Sequence, residues 1–398
     1  MRSSPDAGEL ADAEHQLDPT VLAGAATTCE GRRTPSEGTA LCLSGGGYRA
    51  MVFHLGGLWR LNDLGMLRGL SRISSVSGGS IVAGVLGSRW RELDFDPETG
   101  IAHAFKSKVA EPIHRLASLT VDVGAVLAGA LLPFTRISDR VEAAYRKHLF
   151  AERTLQDLPS DAEGPRFVIN ATNLQTGAVF RFSRPYMADY HVGKFLEPRV
   201  PLAKAVAASS AFPPVLSPVV LSLAGERYEE GSGDPAFAEY RREAVLSDGG
   251  VYDNLGLETA WKRFKTVLVS DGGAALKSQS HPAVDWLCGA VRVLLIIDNQ
   301  VRALRSRITI GAFRSGLRKG TYFGIGTDIA DYHLADAQVV PHNRSLELAN
   351  VSTRLKAMPR ELQERLVNWG YAVCDAALRK YVNPQAPAPT RLPYDRPI

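Results

Sequence analysis

Twice in this chain an apolar segment runs straight into glycines or other small residues and then into a helical pattern. The first instance is Leu41-Cys42-Leu43-Ser44-Gly45-Gly46-Gly47-Tyr48-Arg49-Ala50, with Met51, Leu55, Leu58, Leu61 and Leu64 continuing at helical spacing. The second is Ile73-Ser74-Ser75-Val76-Ser77-Gly78-Gly79-Ser80, which leads into a helix of small residues at 81–86. Strand, tight turn and helix, in that order, is the repeating unit of an α/β sheet. Consecutive glycines let the backbone turn sharply with its N–H groups aimed one way. They do so at a helix start, where the dipole favours negative charge. Such a loop holds a phosphate or a developing oxyanion. The dinucleotide fingerprint is not met, because its last glycine would fall on Ala50 and no ribose-binding acid is identifiable. The Walker pattern fails for want of Gly-Lys-Ser/Thr.

Apolar runs at 40–43, 70–76, 167–169, 266–269 and 291–297 read as buried strands with helical patterns between them. The expected fold is α/β, a three-layer α/β/α sandwich around a mainly parallel sheet. It forms one domain over 38–382, with a helical insertion at about 91–160. A last helix is predicted after Pro359, with Leu362, Leu366, Val373, Ala377 and Tyr381 on one stripe. Residues 1–37 are polar and aperiodic and are expected to form a loose tail. The stretch 383–398 is proline-rich and is expected to be extended and poorly packed. Within 116–134, Asp122 interrupts an apolar run. The uncharged stretch beyond Asp122 is shorter than the ~20 residues of a membrane span, so a buried helix or a cap over a site is expected.

At 398 residues, 45% apolar and 22% charged, the composition is that of a globular enzyme. A net charge of +4 is too mild to point to nucleic acid. Cys29, Cys42, Cys288 and Cys374 have no C-x-x-C spacing, which argues against zinc and redox motifs. With no secretory pattern at the start, a reduced, cytoplasmic protein is expected. The run 301–320 carries Arg302, Arg305, Arg307, Arg314, Arg318 and Lys319 without an acid, interleaved with Leu304, Ile308, Ile310, Phe313 and Leu317. It reads as a solvated face or as a weak, salt-sensitive dock for an anionic membrane.

Ser77 stands at the apex of the second turn, in the layout of a nucleophile elbow. An ordinary Ser/Gly-rich turn has the same composition, and Ser75 fills the position where an elbow usually has glycine. An acid followed by two glycines occurs twice after an apolar approach, at Asp248-Gly249-Gly250 and at Asp271-Gly272-Gly273. Local chemistry does not separate them. Arg49 suits a lipid phosphate and an internal acid equally. None of the nine histidines forms a metal pair on one helix face, and His54 reads as a core residue. A Ser-Asp-His triad would need His281, His333 or His342, none of which has a distinctive context.

The ordered set Gly-Gly-Gly-Tyr-Arg, Ser-Val-Ser-Gly-Gly, Ala-Ser-Ser-Ala-Phe-Pro-Pro-Val-Leu-Ser-Pro-Val at 208–219 and Asp-Gly-Gly-Val-Tyr-Asp-Asn-Leu-Gly at 248–256 resembles the patatin-like phospholipase family, as a bacterial-type member. The resemblance covers most of 38–275. It implies a Ser-Asp dyad without catalytic histidine that acts on acyl esters of lipids. It places the nucleophile at Ser77 and the base at Asp248, in preference to Asp271. It places the oxyanion hole at Gly45, Gly46 and Gly47. Arg49 is then a candidate contact for a substrate phosphate. No cofactor or metal is implied, and the implied partners are a lipid or phospholipid substrate and a transient membrane surface. Two alternatives stand beside this reading, an esterase with a Ser-Asp-His triad and a non-catalytic lipid-binding protein of the same fold.

Overall fold

The computed structural model describes residues 35–121, 137–283 and 285–398. The apolar segment 122–136 and residues 1–34 of the expected tail lie outside this set. The described strands are β1 (Ser36–Leu43), β2 (Arg72–Val76), β3 (Arg166–Asn173), β4 (Val179–Phe182), β5 (Tyr186–Asp189), β6 (Gly193–Leu196), β7 (Val219–Ser222), β8 (Arg227–Tyr228), β9 (Glu243–Asp248), β10 (Phe264–Asp271) and β11 (Lys319–Gly324). They join in one mixed sheet. In the half ordered β11-β10-β1-β2-β3 every pairing is parallel, with Leu41 of β1 facing Ile73 on one side and Leu268 on the other. From β3 onward the pairings are antiparallel. The expected layered α/β architecture is therefore present, with a mixed sheet in place of a mainly parallel one, and its parallel half carries both glycine-rich turns.

Side chains alternate along each strand, so a sheet buried on both faces builds two cores. Leu41, Leu43 and Leu268 face a large core shared with the helices α1 (Gly47–Asp63), α2 (Gly78–Ser88), α3 (Leu202–Ser209) and α5 (Arg360–Tyr381). Ala40, Cys42, Val267 and Val269 face a smaller one with Trp261 and with Ala312 of α4 (Trp286–Arg314). The apolar run 291–297, expected as a strand, lies inside α4. A short run of mostly apolar residues has no periodicity that separates strand from helix, and here the helical flanks decide. The last helix starts after Pro359 as expected.

The proline-rich end departs from expectation. Its backbone runs through turns and bends rather than one extended stretch, and it is packed. Asn368 donates to the carbonyls of Tyr394 (2.9 Å) and Arg396 (2.8 Å), and the Tyr394 hydroxyl meets His114 Nε2 at 2.8 Å. Proline removes donors but leaves carbonyls, and the buried amide of Asn368 uses them.

Helices α1 and α5 touch backbone to backbone. A Cβ on Gly56 would lie 2.0 Å from the Val367 carbonyl oxygen, and one on Gly370 would lie 2.0 Å from that of Phe53. Gly56→Ala raises helix propensity by about 1 kcal/mol but forces apart two buried helices, which costs about 1–3 kcal/mol. The expected result is a lower urea midpoint than wild type, read by circular dichroism. An unchanged or higher midpoint would mean that the contact is not needed.

Candidate active site

Strand β3 gives the first part of one edge to β2 and the last part of that edge to β9. Val76 lies opposite Asn170, and Asp248 lies opposite the next residue, Ala171. β2 runs parallel to β3 and β9 antiparallel, so the two strands end at the same point. That point places Ser77, the residue after β2, beside Asp248, the last residue of β9.

Ser77 has φ 52° and ψ −119°, a conformation that a residue with a side chain rarely adopts. Its surroundings enforce this. A Cβ on Gly78 would meet the Gly47 carbonyl oxygen at 2.1 Å, and one on Gly79 would meet that of Leu43 at 2.5 Å. The Ser77 N–H donates to Ser209 Oγ (3.0 Å), whose own hydroxyl donates to the Asn170 carbonyl (2.6 Å). Gly249 N–H donates to the Ser209 carbonyl (3.2 Å), so one serine holds both the elbow and the turn after Asp248.

Asp248 is buried. Its Oδ1 accepts from the Gly250 N–H at 2.7 Å, whereas Oδ2 has no hydrogen-bond partner. Burial pushes the carboxyl up to about 7, and Asp298 pushes in the same direction. The Gly250 N–H and the nearby Ser77 hydroxyl pull it back. The serine therefore approaches the carboxylate without completing a hydrogen bond to Oδ2. Asp271 is the opposite case. Its carboxylate accepts from Arg302 (3.0 Å), from the Gly273 N–H (2.8 Å) and from the Tyr322 hydroxyl.

The glycine loop needs a correction. The Gly45 N–H is occupied by the carbonyl (3.0 Å) and side-chain oxygen (3.1 Å) of Asn254. It has no N–H left to offer, and its part is to let Asn254 close in, since a Cβ there would lie 2.2 Å from Asn254 Oδ1. The N–H groups of Gly46, Gly47 and Gly78 carry no hydrogen bond among the described residues. Gly78 was not among the expected donors. The residue after an elbow serine opens a helix and so has an unsatisfied N–H, which was the available signal. Ser209 and Asn254 were also missed as anchors, although both lie in quoted motifs.

Arg49 also departs from expectation. Its guanidinium is buried and donates to the carbonyls of Gly272 (3.1 and 3.0 Å), Ala349 (3.0 Å) and Val351 (2.7 Å). Burial and the charge of Arg302 bring it down to about 10. It fastens the 349–351 segment beside the glycine loop rather than meeting a phosphate. His54 donates from Nε2 to the Ser44 carbonyl (3.0 Å) and accepts at Nδ1 from Ser270 (2.7 Å), and burial lowers it to about 4, so it is a neutral core residue. The basic run is partly turned inward. Arg302 holds Asp271, Arg305 lies 3.6 Å from Asp253, and Arg318 lies over the Trp261 ring.

Ser77, Asp248, Gly46 and Gly47 line a cavity of about 810 Å³ with walls from Phe212–Leu216, Val291, Leu295 and Leu355. Its size and apolar walls suit a small-molecule or acyl ligand. Among its lining residues there is no histidine. No metal-ligating cluster is found among the described residues.

The sequence matches the family described as patatin-like phospholipase over residues 41–261, more than half of the chain. The chain belongs to the patatin-like phospholipase family. Solved structures similar to it include human GIVD cytosolic phospholipase A2, at 14% identity and TM-score 0.45, covering 93% of this chain and 65% of that one. VipD from Legionella pneumophila aligns at 15% identity and TM-score 0.34, covering 86% of this chain and 66% of that one. The type III effector protein ExoU aligns at 13% and 0.33, covering 88% of this chain and 54% of that one. This patatin-like chain thus spans less than two thirds of the length of the human phospholipase. No curated protein matches it by sequence.

The raised Asp248 carboxyl has a consequence for stability. Folded, it keeps its proton to about pH 7; unfolded, it ionises near 3.8. Between these values the folded chain binds more protons, so this group takes stability away as pH rises from about 4 to 7. Asp248→Asn, which still accepts from Gly250, is expected to raise the melting temperature above wild type at pH 8 and to leave it nearly unchanged at pH 4. Thermal denaturation at the two pH values checks this. Equal melting temperatures at pH 8 would mean an ordinary carboxylate.

Proposed function

We propose that this protein is a serine acyl hydrolase of lipid esters, of the phospholipase A or lysophospholipase type, working through a Ser77–Asp248 dyad. The observation that carries the proposal is the pairing of a strained elbow serine with a buried carboxylate whose Oδ2 is unpartnered. In the proposed reaction Asp248 Oδ2 accepts the Ser77 hydroxyl proton as Oγ attacks the ester carbonyl. A base of this kind contributes about 10²–10⁴-fold. The N–H groups of Gly46, Gly47 and Gly78 hold the oxyanion, each worth about 3–4 kcal/mol when aimed at the developing charge. Asp248 returns the proton to the leaving alkoxide as the bond to the alcohol breaks. Water activated by the same carboxylate then frees the fatty acid from Ser77.

A phospholipid fits the cavity better than a neutral glyceride. Lys277, Arg292 and Arg354 line it, and the exposed Arg354 guanidinium has no partner among the described residues. A histidine-dependent triad has no candidate beside Ser77, since His281, His333 and His342 are absent from the cavity wall. The unpaired Cys42, Cys288 and Cys374 support a cytoplasmic enzyme that meets its substrate at a membrane surface.

The decisive experiment incubates the protein with a mixed lipid extract and identifies released fatty acids and lyso products by mass spectrometry. Ser77→Ala and Asp248→Asn are each expected to abolish release, while His281→Gln, His333→Gln and His342→Gln leave it intact. A fluorophosphonate is expected to label Ser77. kcat/KM on a soluble ester should rise with pH through an acid limb near 7, the value of Asp248. Fatty acid released only from neutral glycerides would make the enzyme a lipase. No hydrolysis and no labelling would leave a lipid-binding protein. Arg354→Gln is expected to raise KM for phospholipid several-fold and to leave a neutral ester unaffected.

A further inference from the structure

Helix α4 is amphipathic in the reverse sense. Its inward face carries Asp298, Asn299 and Arg302, which line the Ser77 cavity together with Val291 and Leu295. Its outward face is apolar: Trp286 is 82% exposed, Val293 52%, Ile297 53%, Val301 44% and Leu304 51%. These positions succeed one another at steps of seven, four, four and three residues, which is a single stripe on a helix. Leu294 and Ile296 flank it and are also exposed. Among the described residues no charged side chain is exposed between Asp285 and Arg307. From Trp286 to Leu304 the stripe is ~27 Å long.

A surface helix ordinarily turns its apolar stripe to the core. One that turns polar groups inward and leaves such a stripe in water marks an interaction surface. The bilayer is the occupant that matches the rest of the site. The lining of the same cavity also exposes Phe212 and Val215, which lie outside α4, so exposed apolar surface at the site is not confined to the helix. The stripe begins at an exposed tryptophan and is succeeded by exposed Arg307 and Arg314, residue types that sit at the headgroup level while an apolar face lies in the acyl boundary. No described helix is long and apolar enough to cross a membrane, so α4 would lie along the surface.

We propose that the outward face of α4, from Trp286 to Leu304, is the surface on which this protein docks to a lipid bilayer, with the opposite face of the same helix walling the cavity of Ser77. The inference rests on the lipid-hydrolase reading for its purpose, since the substrate lies in the bilayer. It replaces salt-sensitive docking through the basic run, because Arg302 and Arg305 are turned inward. Docking through an uncharged stripe needs no anionic lipid.

The test is flotation of the Ser77→Ala protein, which binds without turnover, on vesicles of phosphatidylcholine alone and of phosphatidylcholine with phosphatidylglycerol, at low and high salt. Flotation with both vesicles, little changed by salt, is expected. The emission of Trp286 should shift to the blue, and Trp286→Phe should remove that shift. In the same Ser77→Ala background, Ile297→Glu with Val301→Glu should lower the bound fraction at least ~tenfold. In the wild-type background the same pair should leave hydrolysis of a short soluble ester unchanged, because neither residue lines the cavity. If that pair does not fold, Ile297→Gln with Val301→Gln serves in its place, with folding confirmed by circular dichroism. The proposal is overturned if the protein stays in solution with neutral vesicles, if the substituted protein floats equally well, or if binding requires phosphatidylglycerol and vanishes with salt. Light scattering that shows a dimer broken by the same substitutions, with no flotation, would assign the face to a second copy. A wild-type protein that hydrolyses no ester would sink the hydrolase reading, while flotation would still decide the docking.

Discussion

The site depends on one strand edge. Along β3 the partner changes from β2 to β9 between Asn170 and Ala171, and both partners end at that junction. No loop has to carry Ser77 to Asp248, because the sheet delivers both at neighbouring register positions. A slip of one residue would turn either side chain to the opposite face of the sheet, and the two cores packed against those faces resist such a slip. Ser209 then locks the junction from α3 through the Ser77 N–H, the Asn170 carbonyl and the Gly249 N–H.

Around this junction the polar groups divide into two kinds. The anchors are saturated: Gly45 by Asn254, the Ser44 carbonyl by His54 and Gly79, Arg49 by three carbonyls, and Asp271 by Arg302, Gly273 and Tyr322. Removing one partner from such a network leaves a buried group unsatisfied, at a cost of about 1–3 kcal/mol, so these contacts hold the loop rigid. The remaining groups are left open. They are Asp248 Oδ2 and the N–H groups of Gly46, Gly47 and Gly78; Asp248, Gly46 and Gly47 line one cavity, and Gly78 follows Ser77 of the same lining. Satisfied anchors and unsatisfied functional groups, side by side, are what a preorganised electrostatic site requires.

Much of this was legible in the sequence, and the failures have physical reasons. The strands at 40–43 and 70–76 and the turns after them could be read because strand, small-residue turn and helix are local features. Asp248 and Asp271 could not be separated locally, since both end an apolar approach before two glycines. What divides them is Arg302, 31 residues beyond Asp271, which neutralises one and not the other. Arg49 could not be settled locally for a similar reason. Whether a guanidinium is spent on carbonyls depends on segments some 220 and 300 residues away. The run 291–297 was read as a buried strand because continuous apolarity ordinarily means burial, whereas α4 keeps much of it exposed.

A lone aspartate is a poor general base in water, where its pKa of about 3.9 lies far below that of a serine hydroxyl. Catalytic triads commonly place a histidine there, because imidazole titrates near neutrality. At this site burial raises the Asp248 carboxyl to about 7, so in the proposed mechanism desolvation supplies the basicity that a second residue type would otherwise bring. The arrangement works only while water is kept from Oδ2. Asp248 is itself buried, and an acyl chain lying along the cavity lining formed by Phe212–Leu216, Val291 and Leu295 would exclude water further. A lipid bound in the proposed manner therefore strengthens the base that is to cleave it, whereas a short polar ester that leaves the cavity wet would meet a weaker one. In the proposed mechanism, the substrate that displaces more water from the cavity wall formed in part by α4 meets the stronger base.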